Sequence, residues 1–84
     1  MLIYLIVYPS QTRAQRASGV LEREGVYNSL VRAPRGLSGE GCVHALRLGQ
    51  GAMPGALNIL QENGLSPKRV FVTVGDGRYE EVRF

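Results

Sequence analysis

Apolar residues come in short blocks along this chain, and each block predicts one element. Residues 2–8, Leu-Ile-Tyr-Leu-Ile-Val-Tyr, form an unbroken apolar run. Such a run suits a strand that has strand neighbours on both edges and at least one covered face. Pro9-Ser10 ends it. Ser10 is a good helix N-cap, because its hydroxyl accepts from an orphan backbone N–H. The helix that follows is predicted to reach about Glu24, with Ala14, Ala17, Val20 and Leu21 as its apolar stripe. Arg13, Gln15, Arg16, Glu22 and Arg23 fall on the water side of the same helix. Gly25 fits the left-handed position that closes a helix.

Residues 26–32 read as a second strand, and residues 42–48 as a third. Alternation in the third strand sets Cys42, His44, Leu46 and Leu48 on one face, and Val43, Ala45 and Arg47 on the other. Gly49-Gln50-Gly51 turns the chain, and Pro54 suits the first turn of a second helix. That helix runs to Asn63, with Ala56, Leu57, Ile59 and Leu60 inward and Gly64 closing it. Residues 69–74 form a fourth strand, Gly75-Asp76-Gly77 a hairpin turn, and residues 79–84 a short edge strand. Glu80, Glu81 and Arg83 would protect that edge from stray pairing.

The order β-α-β-β-α-β with an added terminal strand predicts an α+β, ferredoxin-like sandwich. Two helices would cover one face of an antiparallel sheet whose first and third strands are central. The 84 residues make one domain, near the low end for a self-sufficient core. The apolar first strand leaves the face away from the helices apolar, so a homo-oligomer that covers it is expected.

Residues 33–42, Ala-Pro-Arg-Gly-Leu-Ser-Gly-Glu-Gly-Cys, interrupt the pattern. Three glycines and a proline in ten residues exclude a regular helix or a central strand. Long ordered loops in small domains are usually functional. This loop ends in Cys42, the only cysteine of the protein. A lone cysteine forms no internal disulfide, and no Cys/His cluster has zinc spacing. No metal or cofactor is expected.

Charge alters the picture little. The formal net charge is +3, and nine of the ten basic residues are Arg. Arg favours phosphate and carboxylate through its bidentate fork. The arginines are scattered and form no basic run, so nucleic acid is not an expected partner. Aromatic residues also lack the paired placement on a central strand that RNA-binding sheets use. The apolar start is too short to span a bilayer and has no basic leader. Cytoplasmic location without membrane association is the expectation.

Several residues carry candidate chemistry. A free cysteine is often a small buried hydrophobe. At a glycine-rich loop junction, however, solvent and ligands approach Cys42. Thiolate is favoured by nearby positive charge or backbone N–H groups. Arg35 and His44 would supply charge, Glu40 would oppose it, and at most a modest fall in the thiol pKa is expected. No acid is spaced to orient His44 as in a Cys-His-Asp hydrolase, which argues against nucleophilic hydrolysis. Ser10 and Arg13 stand at a helix N-terminus, where orphan N–H groups and the helix dipole attract anions. Ser10 also has the plainer reading of a cap alone. Gly49-x-Gly51 before a helix is read as a turn, since Pro54 stands where a dinucleotide fingerprint wants Gly or Ala.

These segments carry a resemblance. Residues 4–10, residues 14–25, the segment Val31-Arg-Ala-Pro-Arg-Gly-Leu-Ser38 and the strand Cys42-Val-His-Ala-Leu-Arg-Leu48 resemble a small bacterial family of selenium/sulfur carrier-like proteins. That family shows an aliphatic strand ending near a serine, a helix, a Pro-Arg-x-Leu-Ser segment, and a Cys before an Ala-Leu-Arg strand. Here Cys42 precedes Val43 where the family usually has Gly, and Gly39-Glu40-Gly41 replaces a Ser-rich stretch. The resemblance implies a carrier that accepts sulfur or selenium on Cys42 from a donor protein. Arg35, Leu37 and Ser38 come with it as motif positions. Such a protein is a carrier or binding protein rather than a stand-alone catalyst. The competing reading is a non-enzymatic module that binds a small anion or a protein through Ser10, Arg13 and the Arg35 loop. Reactivity of the thiol separates the two.

Overall fold

The computed structural model describes residues 2–32, 44–73 and 78–82. Five strands and two helices follow one another as β1 (Ile3–Tyr8), α1 (Gln11–Arg23), β2 (Ser29–Arg32), β3 (His44–Gly49), α2 (Met53–Glu62), β4 (Arg69–Thr73) and β5 (Tyr79–Val82). A short 3-10 turn, Gln50–Ala52, leads into α2. The strands form one sheet in the order β2-β3-β1-β4-β5, with every neighbouring pair antiparallel. The fold is α+β.

The apolar run of β1 lies at the middle of this sheet, hydrogen-bonded to β3 on one edge and β4 on the other. Its pleat divides the run between two cores. Ile6 and Tyr8 point to the helix side, where they pack with Ala14, Ala17, Val20 and Leu21 of α1 and with Met53, Ala56 and Leu60 of α2. Leu46 and Leu48 of β3 and Val70 of β4 complete that layer. Both helices therefore cover the same face, as their sequence periods predict. Leu5, Val7, Ala45 and Phe71 point the other way and form a second cluster with Val31 and Tyr79. All four are buried within the single chain. The face away from the helices is apolar, as expected, but these side chains need no second copy to remove them from water.

Helix ends follow their local chemistry. The Ser10 Oγ accepts from the backbone N–H of Arg13 at 3.2 Å, which satisfies one orphan donor. Glycines close both helices at positive φ, Gly25 at 79° and Gly64 at 70°, a region other residues rarely adopt. Pro54 stands in the first turn of α2, and Met53 joins the core as a residue outside the predicted apolar set.

The second strand is shorter than its apolar start suggests. The Val26 N–H donates to the Leu21 carbonyl at 2.8 Å, so Val26 still belongs to the close of α1. Asn28 then turns its side chain onto local partners: its Nδ2 donates to the Val26 carbonyl at 3.1 Å, and its Oδ1 accepts from the Ser18 hydroxyl at 2.6 Å. Side-chain bonds of this kind draw Asn out of regular ladders. Pairing with β3 begins only at Ser29. At the other edge β5 pairs with β4 from Thr73↔Tyr79 to Val70↔Val82. The expected Gly75-Asp76-Gly77 turn lies outside the described residues.

Candidate functional site

One end of the sheet gathers the described candidates. The register sets His44, the first residue of β3, opposite both Tyr8, the last residue of β1, and Arg32, the last residue of β2. Ser10 and Arg13 follow Tyr8 directly at the start of α1. His44, Ser10 and Arg13 thus belong to the same end, because three element termini meet there. Chain leaves β2 at Arg32 and re-enters the sheet opposite it at His44. Arg35, Ser38 and Cys42 fall between these two residues and lie outside the described residues.

The side chains at this end are tied mainly to the fold. The Tyr8 phenol is buried, and its hydroxyl donates to the Leu65 carbonyl at 2.6 Å. Burial pushes its pKa well above the ordinary phenol value, since the charged form would lose its water; the Arg13 charge opposes this more weakly. Tyr8 is thus held neutral as a donor. The Arg13 guanidinium donates to the Gly64 carbonyl at 3.5 Å, the residue before Tyr8's acceptor. Tyr8 and Arg13 together brace the turn that closes α2. The Ser10 hydroxyl is engaged as the cap of α1. In the sequence Tyr8 reads only as part of an apolar run; its inward parity, shared with Ile6, is the signal for a buried phenol.

His44 is half-buried on the helix side of the sheet, in the same parity as Leu46 and Leu48. The expected alternation of β3 is therefore the observed one from His44 onward. Arg47 takes the opposite face and is exposed. It lines a concavity of about 360 Å³ with Ile3, Tyr27, Ser29 and Gly49. That hollow lies at the far end of the sheet from His44. Among the described residues no group of three or more His, Cys, Asp or Glu side chains is placed to hold a metal ion. No helix among them is long and apolar enough to cross a membrane.

No curated protein and no solved structure matches the chain. A family model does, over residues 3–72, from the first residue of β1 to Val72 in β4. The matched span includes the His44 end of the sheet, both helices and the single cysteine. The chain belongs to the family described as Putative Se/S carrier protein-like.

Proposed function

We propose that the protein carries sulfur or selenium on Cys42, receiving it from a donor protein and handing it on. The observation that carries this reading is family membership over a span that contains the only cysteine of the chain. In the sequence Cys42 also precedes by two residues His44, the first residue of β3. The ferredoxin-like arrangement belongs to the same proposal. It is supported by β1 and β3 lying side by side within the sheet, with β2 and β4 flanking them.

The transfer is a thiol exchange. The Cys42 thiol gives its proton to solvent, and the thiolate attacks the terminal sulfur of a donor persulfide. The new S–S bond forms as the donor's S–S bond breaks, and the donor leaves as a thiolate with the bonding pair. No net oxidation occurs, and no cofactor enters. A donor selenosulfide reacts in the same way at its terminal selenium. Arg35, through its guanidinium charge, and His44 are the groups assigned to favour the thiolate. Ser38 is assigned to the same loop as a binding residue.

The competing anion-binding module finds less support. Its described candidates already have work within the fold: Ser10 caps α1, and Arg13 reaches the Gly64 carbonyl.

Intact mass after incubation with a cysteine desulfurase and cysteine tests the carrier reading. The wild type is expected to gain the mass of one sulfur atom, removable by a reducing thiol. Cys42→Ser should keep its circular dichroism spectrum and gain nothing. If Cys42 is alkylated only after denaturation, it is a core hydrophobe and the carrier reading fails.

A further inference from the structure

We propose that the outer edge of β2 is a self-association surface, on which a second copy of this chain adds its own β2 antiparallel and joins the two sheets. The site is independent of the thiol. β2 is a terminal strand of the sheet, with no strand beyond it among the described residues. Such an edge offers a row of backbone N–H and C=O groups, and the group that satisfies such a row is another strand.

Three observations single out this edge. The exposed large apolar side chains among the described residues are Tyr27, 76% exposed, and Leu30, 40% exposed. Both belong to β2 or its lead-in. Next, the strand is held ready: the Ser18 hydroxyl, on the buried face of α1, bonds the Asn28 side chain at 2.6 Å immediately before the strand. A strand ordered in advance loses less freedom on pairing. The opposite edge provides the contrast. There β5 carries Glu80 and Glu81, the second at 3.5 Å from Arg69, and charged side chains on an edge discourage pairing. The four residues of β2 hold one charge, Arg32, at the end.

Self-pairing follows from the arrangement of that charge. Leu30 and Arg32 share the helix side of the sheet, and Ser29 and Val31 the other. A two-fold pair must keep each side chain on its own face, so the axis passes between two copies of the same residue. Centred on Leu30, the register sets Leu30 against Leu30 of the second copy, Ser29 against Val31, and Asn28 against Arg32. The two Arg32 positions are then four residues apart along the strands, about 13 Å at strand rise. Centred on Val31, they would be about 7 Å apart at the same rise, within reach of mutual repulsion. The Leu30-centred register is assigned. A junction of four-residue strands is small, so association should be weak and concentration-dependent.

Sedimentation equilibrium across a wide concentration range tests this. The wild type is expected to shift reversibly from monomer to dimer. Leu30→Lys sets like charges opposite each other; it should weaken the dimer by about tenfold or more, which corresponds to roughly 1.4 kcal/mol. Arg47→Glu, on the face away from the helices, should leave association unchanged. In a Cys42→Ser background, Leu30→Cys should form a disulfide-linked dimer under mild oxidation, and Arg47→Cys should not. A wild type monomeric at every concentration would overturn the proposal. So would a dimer that Arg47→Glu dissociates and Leu30→Lys does not. Because the cross-link is read without Cys42, its failure says nothing against sulfur transfer.

Discussion

Tyr8 combines two demands that oppose each other, full burial of an aromatic ring and a hydroxyl that needs a partner. The Leu65 carbonyl resolves them at 2.6 Å. Tyr8→Phe keeps the ring and leaves that carbonyl without its donor, so we expect a loss of about 1–2 kcal/mol in urea unfolding. The same residue couples stability to pH. Its folded pKa is raised above the ordinary value near 10.0 because burial disfavours the phenolate. Below that ordinary value both states hold the proton, and the contribution is fully present. Above it the unfolded chain releases the proton while the folded chain keeps it, so stability falls as pH rises. Wild type should therefore lose stability in alkaline buffer more steeply than Tyr8→Phe, as measured by denaturant midpoints from neutral pH upward. Equal slopes would mean that the phenol is not held neutral. Ser10 gives a second residue-level test. As an N-cap it should cost about 1 kcal/mol when changed to Ala, seen as a lowered midpoint. Were Ser10 chiefly an anion ligand, Ser10→Ala would leave the midpoint in place and instead abolish stabilisation by added phosphate.

At the level of elements, β2 is where sequence and structure diverge most. β1, β3 and β4 are legible because β1 and β4 are apolar runs and β3 alternates, and each is pinned by two strand neighbours. Both helices were legible from caps, stripes and closing glycines, all of which are local signals. The start of β2 was not. Val26 looks like a strand residue, yet its N–H completes the last turn of α1. Asn28 is held by Ser18, ten residues earlier, a contact that no local period encodes. That bond gives a prediction for the element. Asn28→Ala leaves the Ser18 hydroxyl on the buried side of α1 without its acceptor, at a cost of about 1–3 kcal/mol. Hydrogen exchange should accelerate at Ser29–Arg32 well beyond the change at Arg69–Thr73, because the former pair loses its anchor and the latter does not. Uniform acceleration through both strands would mean that the bond supports the whole fold and not this edge. The candidate site was legible only as positions. His44, Ser10 and Arg13 come together because the ends of β1 and β3 coincide, and strand register depends on long-range pairing that spacing alone does not specify.

For the whole molecule, the two proposed surfaces are expected to act separately. Cys42 lies in sequence between Arg32, the last residue of β2, and His44, the first of β3. The proposed two-fold axis passes between the two copies of Leu30, two residues back from Arg32 along β2. The proposed transfer is written with one thiolate and one donor, and the exchange itself needs no residue of a second copy. Leu30→Lys should therefore load persulfide from a small-molecule persulfide donor at the wild-type rate, at concentrations where the wild type is dimeric and the variant monomeric. Loading by a desulfurase protein is the more demanding comparison, since a donor docks by its surface. If the donor used the outer β2 edge by strand addition, self-association would compete with it. Rates with the enzyme would then fall as the carrier concentration rises into the dimer range, while rates with the small donor would not. If the donor approaches at the His44 end, both rates stay proportional to total carrier. Time-resolved intact mass at two carrier concentrations, with each donor in turn, distinguishes these outcomes. Unequal loading of wild type and Leu30→Lys by the small donor would show that the edge and the thiol form one site, and would end the claim that they act independently.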